Sequence, residues 1–149
     1  MPDFRIVVDA NVVVPLLVAE ENSALAFRLW KSARLGGKEI LAPGLIVFEV
    51  TSAVYRKAFR KLIDWESAKS AIDVLTKLNI HLITDPLLSV RAFEIARELG
   101  RPTTYDAHYL AVAEHFDAIF WTADEKLYNV ARDKFSWIKL LRDLEGDVT

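Results

Sequence analysis

The 149 residues predict a single α/β domain: a five-stranded parallel sheet with helices on both faces. Three observations carry this. Short apolar runs, several of them β-branched, alternate with longer stretches of helical periodicity, as strands do when helical crossovers join them. The helical stretches begin and end at capping and stop residues instead of long polar linkers. No repeat, low-complexity segment or shift in composition divides the chain, whose length suits one domain, with a core to about residue 141 and a tail over 142–149.

Each element has a local reason. Ile6-Val7-Val8 is a β-branched run ending at Asp9, the first strand, and helix-compatible sequence with Pro15 near its start follows. From Ser23 the spacing of Leu25, Leu29 and Ala33, with Ala26 and Trp30 alongside, makes a helical stripe that Gly36-Gly37 stops. Ile40-Leu41-Ala42 is the second strand, closed by Pro43. Helices are expected from about Leu45 to Lys61 and from Trp65 to Leu78, the latter capped by Asp64. The third strand is Ile80 to Ile83. Asp85-Pro86 opens a helix that ends at Gly100, and Thr103 or Thr104 caps another over Asp106 to His115. Ala118 to Thr122 is the fourth strand, a short helix starts at Asp124, and Trp137 to Leu141 is the fifth strand.

Composition narrows the function classes. The hydrophobic fraction, 52%, lies slightly above the usual ~45–50%, a surplus that an interface can use. A charged fraction of 27% is ordinary for a folded domain and argues against disorder. Acids outnumber bases 21 to 19, which excludes a generally basic nucleic-acid coat. Cysteine is absent, excluding disulfides, zinc–thiolate sites and thiol nucleophiles. No signal-peptide pattern opens the chain, and the apolar stretch Val12 to Ala19 falls short of the ~20 residues that span a bilayer. No membrane association and a cytoplasmic location are expected.

In parallel sheets, functional sites lie at the carboxyl ends of the strands, where strand order reverses. Asp9 follows the first strand directly, and Asp124 lies two residues past the fourth. Glu49 stands about one turn into a helix between Phe48 and Val50, and Asp106 lies in the first turn of its helix. Asp106 and Asp124 also fit helix N-termini, where an acid is worth ~0.3–1 kcal/mol. Asp9 and Glu49 are harder to place so, since an unpaired acid in an apolar segment costs several kcal/mol to desolvate. A shared cation accounts for all four. All-oxygen ligation favours Mg²⁺ or Mn²⁺ over zinc, and His81, His108 and His115 show no ligand spacing. Such a site suits phosphodiester hydrolysis by a metal-activated water, with no side-chain nucleophile.

These segments together resemble the PIN-domain ribonucleases, most closely the toxin subunits of VapBC toxin–antitoxin pairs. The resemblance covers nearly the whole chain and rests on Val7-Val8-Asp9-Ala10-Asn11, Phe48-Glu49-Val50-Thr51-Ser52-Ala53, Thr104-Tyr105-Asp106-Ala107-His108-Tyr109-Leu110-Ala111 and Trp121-Thr122-Ala123-Asp124. It implies a PIN-like fold, a Mg²⁺- or Mn²⁺-dependent endoribonuclease, a homodimer, and a small VapB-like antitoxin whose tail occupies the acidic groove. It also implies that Asp9, Glu49, Asp106 and Asp124 are the catalytic, metal-holding acids, Asp9 central, with Thr122 and Asn11 as hydrogen-bond partners behind them.

Two other classes fit less well. A catalytically silent PIN-like binding module usually lacks one or more of these acids, and all four are present; a PIN nuclease of RNA processing without an antitoxin remains open on sequence. A phosphatase with an Asp nucleophile wants a second Asp two residues after the first, where this chain has Asn11, and a receiver domain wants paired acids at the end of the first strand. For RNA binding, Arg56 and Arg60 lie seven and eleven positions beyond Glu49 on nearly the same helical face and, with Lys57 and Lys61, extend a basic track away from the acids. The same groups also suit a solvated helix end. Arg101 and Lys126, close in sequence to Asp106 and Asp124, are lesser candidates for phosphate contact. With the four site acids set aside, the remaining bases outnumber the remaining acids by two.

Overall fold

In the computed structural model, which describes residues 4–146, one sheet holds β1 (Arg5–Val8), β2 (Glu39–Pro43), β3 (His81–Ile83), β4 (Ile119–Thr122) and β5 (Ile138–Leu140). Every pairing is parallel, in the order β3-β2-β1-β4-β5. Around the sheet run α1 (Ala10–Leu17), α2 (Ser23–Leu35), α3 (Leu45–Phe59), α4 (Trp65–Leu75), α5 (Pro86–Leu99), α6 (Tyr105–Phe116) and α7 (Glu125–Ala131). The crossovers from β1 to β2 and from β2 to β3 step one way, whereas β3 to β4 steps back across the sheet. Right-handed crossovers therefore put α1–α4 on one face and α5–α6 on the other. Strand order reverses between β1 and β4, so the crevice at their carboxyl ends is where the fold builds a site.

The core explains the short strands. Ile6, Val7 and Val8 are buried, as are Ile40, Leu41 and Ala42 beside them and Phe120 and Trp121 on the other side. Strands covered on both faces read as continuous apolar runs, which is the pattern of the sequence. Ala26, Leu29 and Ala33, the core of the α2 stripe, are buried as expected.

Several boundaries differ from expectation for identifiable reasons. Helix α1 starts directly after Asp9, so Pro15 falls late in it, and the helix stops two residues on. Helix α3 ends at Phe59 because Lys61 adopts a left-handed conformation (φ 62°) and the Leu62 amide turns back to the Lys57 carbonyl. Helix α4 stops at Leu75, where the Thr76 hydroxyl donates to the Asp73 carbonyl at 2.6 Å. Asp64 caps α4 as expected, accepting from the Ser67 amide at 2.6 Å. Thr104 takes the N-cap position of α6, but its side chain makes no capping bond. The segment expected to trail from 142 instead continues as a 3₁₀ turn, Leu141–Gly146, with Leu141 and Leu144 buried in the core; residues 147–149 lie outside the described residues. Among the described residues, no helix is long and apolar enough to cross a membrane.

Candidate active site

The pairing register builds the centre of the site. Val8 lies opposite Trp121, so the next residue on each strand end, Asp9 and Thr122, meet across the switch point. The Thr122 hydroxyl donates to Asp9 Oδ2. Thr122 is completely buried and Asp9 is 6% exposed. Asp9 sits at the N-cap of α1, where its backbone carbonyl accepts from the Val12 and Val13 amides and its side chain makes no capping hydrogen bond. Its other oxygen, Oδ1, is buried with no hydrogen-bond partner. Burial pushes the Asp9 carboxyl up to about 7, against the Thr122 hydrogen bond that pulls it down; the charges of Asp106 and Asp124 push it further up.

The remaining acids converge from three other elements. Glu49, in the second turn of α3, is half-buried, and its Oε1 accepts a hydrogen bond from the Tyr109 hydroxyl at 2.5 Å. Desolvation raises the Glu49 carboxyl, the Tyr109 bond opposes it, and Asp106 adds to the rise. Asp106 pairs with Arg101, Nη2 to Oδ2, at 3.0 Å. Gly100 makes that pairing reachable: it ends α5 at φ 65°, a left-handed turn open to glycine, and sends Arg101 back toward α6. Asp124 caps α7 through the Leu127 amide at 3.1 Å, and its own amide donates to the Thr122 hydroxyl oxygen at 3.0 Å. Thr122 thereby links Asp9 to Asp124.

These acids lie near enough for their charges to act on one another, yet among the described residues no three carboxylate or imidazole groups close into a finished metal cage. Like charges repel, and each carboxylate is tied by a different donor: Thr122, Tyr109, Arg101 or the Leu127 amide. The donor set nevertheless fits a hard divalent cation. It is all oxygen, and the bare buried Oδ1 of Asp9 is the kind of atom that such an ion satisfies.

The other sequence candidates divide. Thr122 takes the place expected of it. Asn11 does not: as the second residue of α1 its side chain is exposed in a cleft with Asn22, Asp124 and Lys126, and no hydrogen bond joins it to the acids among the described residues. Lys126 shares that cleft. Arg56 lines a surface cleft of about 330 Å³ with Glu49, Ser52 and Tyr105, and donates to the Ser52 hydroxyl at 3.1 Å. Arg60 is the exposed C-cap of α3, one turn beyond that cleft. Lys57 is paired with Glu20 at 2.9 Å, which removes it from the basic track. His108 is bound to the Thr104 carbonyl and the Ser89 hydroxyl, consistent with a structural role. Sequence reasoning missed Tyr109, although it lies three residues after Asp106 and so on the same helical face.

Comparison with known proteins supplies independent findings. The family model described as "PIN domain" matches residues 6–133. Ribonuclease VapC3 of Pyrobaculum aerophilum is 31% identical over 127 residues, covering 83% of this chain and 92% of the relative. The crystal structure of PAE2754 from Pyrobaculum aerophilum superposes with a TM-score of 0.70 at 23% identity, covering 97% of this chain and 96% of that one. That of Mycobacterium tuberculosis VapC20, titled a sarcin-ricin loop cleaving toxin, gives 0.61 at 16% identity, covering 87% and 95%. At these identities the two structures bear on the fold alone.

Proposed function

The chain belongs to the PIN-domain family, and from that premise we propose that it is a Mg²⁺- or Mn²⁺-dependent endoribonuclease acting as the toxin of a toxin–antitoxin pair. The observation that carries the reading is the buried, unpartnered Oδ1 of Asp9 at the switch point, with Asp106 and Asp124 near enough to act on its charge and Glu49 near enough to Asp106 to feel that charge in turn. Asp9, Glu49 and Asp106 would hold the ion, with Asp124 joining directly or through water. A divalent cation bound there lowers the pKa of a water and neutralises charge on phosphoryl oxygens.

The chain's own residues do the rest. Thr122 fixes Asp9 from behind, and burial of both excludes water from that side of the carboxylate. Arg101, now paired with Asp106, is a cation placed to meet a phosphate once Asp106 has another partner. Arg56, beside Glu49, positions the strand through its backbone without reading bases. The test is cleavage of a mixed RNA pool: products form with Mg²⁺ or Mn²⁺, stop with EDTA and return on adding metal. Neutralising Arg56 and Arg60 together raises KM several-fold and flattens the salt dependence, by roughly 0.7 in log–log slope per lost phosphate contact. Mn²⁺ affinity stays unchanged in that variant; loss of metal binding instead contradicts the assignment.

The partners follow from surface chemistry. Phe48 is exposed at an apolar cavity of about 660 Å³ between the start of α3 and the start of α5, and Leu87, Val90 and Phe93 are exposed along α5 itself. Patches of this kind mark interaction sites, and this one supports the homodimer. Leu87→Glu with Phe93→Glu is expected to shift the solution mass from twice 16.9 kDa to 16.9 kDa by light scattering, with the circular dichroism spectrum retained. A separate groove at Val54, Tyr55, Trp65, Ala68 and Ile72 between α3 and α4 is suited to the apolar face of an antitoxin helix. A short neighbouring reading frame with a DNA-binding N-terminal region favours the toxin role over RNA processing. We place the protein in the cytoplasm.

A further inference from the structure

We propose that Tyr109 is the positioning residue of Glu49, its hydroxyl committing Oε1 to the protein and leaving Oε2 as the oxygen offered to a cation. This inference rests on the metal-site reading above. Tyr109 is 1% exposed, and its ring stacks on Phe120 of β4, with centroids 5.9 Å apart and planes within 12°. The sheet thus fixes the ring, and the ring carries the hydroxyl 60 residues back along the chain to a different helix. Glu49 needs such a hold, because its longer side chain has more rotamer freedom than an aspartate and no hydrogen bond from another side chain reaches it among the described residues. Asp106 and Tyr109 leave α6 on one face, so a single helix sets both an acid and the donor that aims its neighbour. Partners behind a metal ligand typically govern metal affinity by 10–100-fold.

Tyr109→Phe keeps the ring and its stacking while removing the hydroxyl. Mn²⁺ titrations by calorimetry on the wild type, Tyr109→Phe, Glu49→Gln and the double variant test the proposal. The expected result is that Tyr109→Phe weakens Mn²⁺ by about 10-fold and adds nothing in the Glu49→Gln background. At saturating Mn²⁺ the Tyr109→Phe protein recovers most of its cleavage rate with an unchanged KM for RNA, which a merely destabilised fold does not do. Wild-type Mn²⁺ affinity in Tyr109→Phe, or a loss that adds fully to that of Glu49→Gln, overturns the role of Tyr109 alone. If Glu49→Gln itself binds Mn²⁺ normally, Glu49 is no ligand and the metal-site reading fails first. Should Tyr109→Phe be too unstable for calorimetry, the Mn²⁺-dependent rise in Tm gives the same comparison in the folded fraction.

Discussion

Asp9→Asn is expected to lower the rate of RNA cleavage on the order of 10³-fold or more at saturating Mg²⁺ or Mn²⁺. Asparagine keeps the size of the side chain and can still accept from Thr122, so the fold at the end of β1 survives. What disappears is the anionic Oδ1, the buried side-chain oxygen left without a hydrogen-bond partner among the described residues. An amide nitrogen there cannot ligate a cation, and the remaining acids reach the site only from helices and a cap. Single-turnover cleavage of a labelled RNA, with the circular dichroism of both proteins compared, checks the expectation. A loss under ten-fold with an intact fold contradicts the central place given to Asp9.

The second large effect concerns stability without metal. Burial holds the folded Asp9 carboxyl at about 7, above its ordinary 3.8. The folded chain therefore binds this proton more tightly than the unfolded chain does. The advantage is complete below about pH 4, falls away as pH rises through about 7, and amounts in all to roughly 4 kcal/mol. Asparagine does not ionise. In EDTA at pH 8, Asp9→Asn should melt above the wild type, by roughly 10 °C at ~2–4 °C per kcal/mol, and the two should converge near pH 4. Adding Mn²⁺ at pH 8 should raise the wild-type Tm and leave the variant unmoved. A wild type in EDTA that is as stable at pH 8 as its Asn variant contradicts the uncompensated burial of Asp9.

The two effects have opposite signs, and that opposition separates a functional acid from a structural one. A carboxylate whose removal costs activity and gains metal-free stability is held in a destabilised state for the sake of its ligand. Asp124 is a contrast within the same site: its Oδ1 already caps α7, so its removal costs the helix a cap as well.

What was legible in the sequence follows from how local each cause is. Asp9 stood out because a charge directly after a β-branched strand has only the strand end to occupy, and the parallel register then brought Thr122 beside it. Glu49 stood out because the residues on either side of it are apolar. Asp106 and Asp124 were ambiguous for a physical reason: each takes a position that a helix N-terminus would fill with an acid in any case, and Asp124 does cap its helix. Tyr109 was invisible because an aromatic residue among Leu110, Ala111 and Val112 reads as core, which its ring is; only its hydroxyl reaches a site acid, and that partner lies on another helix. Asn11, expected behind the acids, is instead an exposed residue of the first turn of α1 that shares a cleft with Asp124 and makes no hydrogen bond to the acids among the described residues, a placement that nearness in sequence to Asp9 does not reveal. The early end of α4 escaped periodicity because it depends on one Thr76 hydroxyl competing for a backbone carbonyl.

The most direct measurement is a crystal of the wild-type protein grown with Mn²⁺ and recorded for anomalous scattering at the manganese edge. The account predicts a peak about 2 Å from Asp9 Oδ1, shared with Glu49 or Asp106 and absent from crystals of Asp9→Asn. A map with no peak among these acids, or with manganese bound elsewhere while Asp9 Oδ1 stays without a partner, contradicts it.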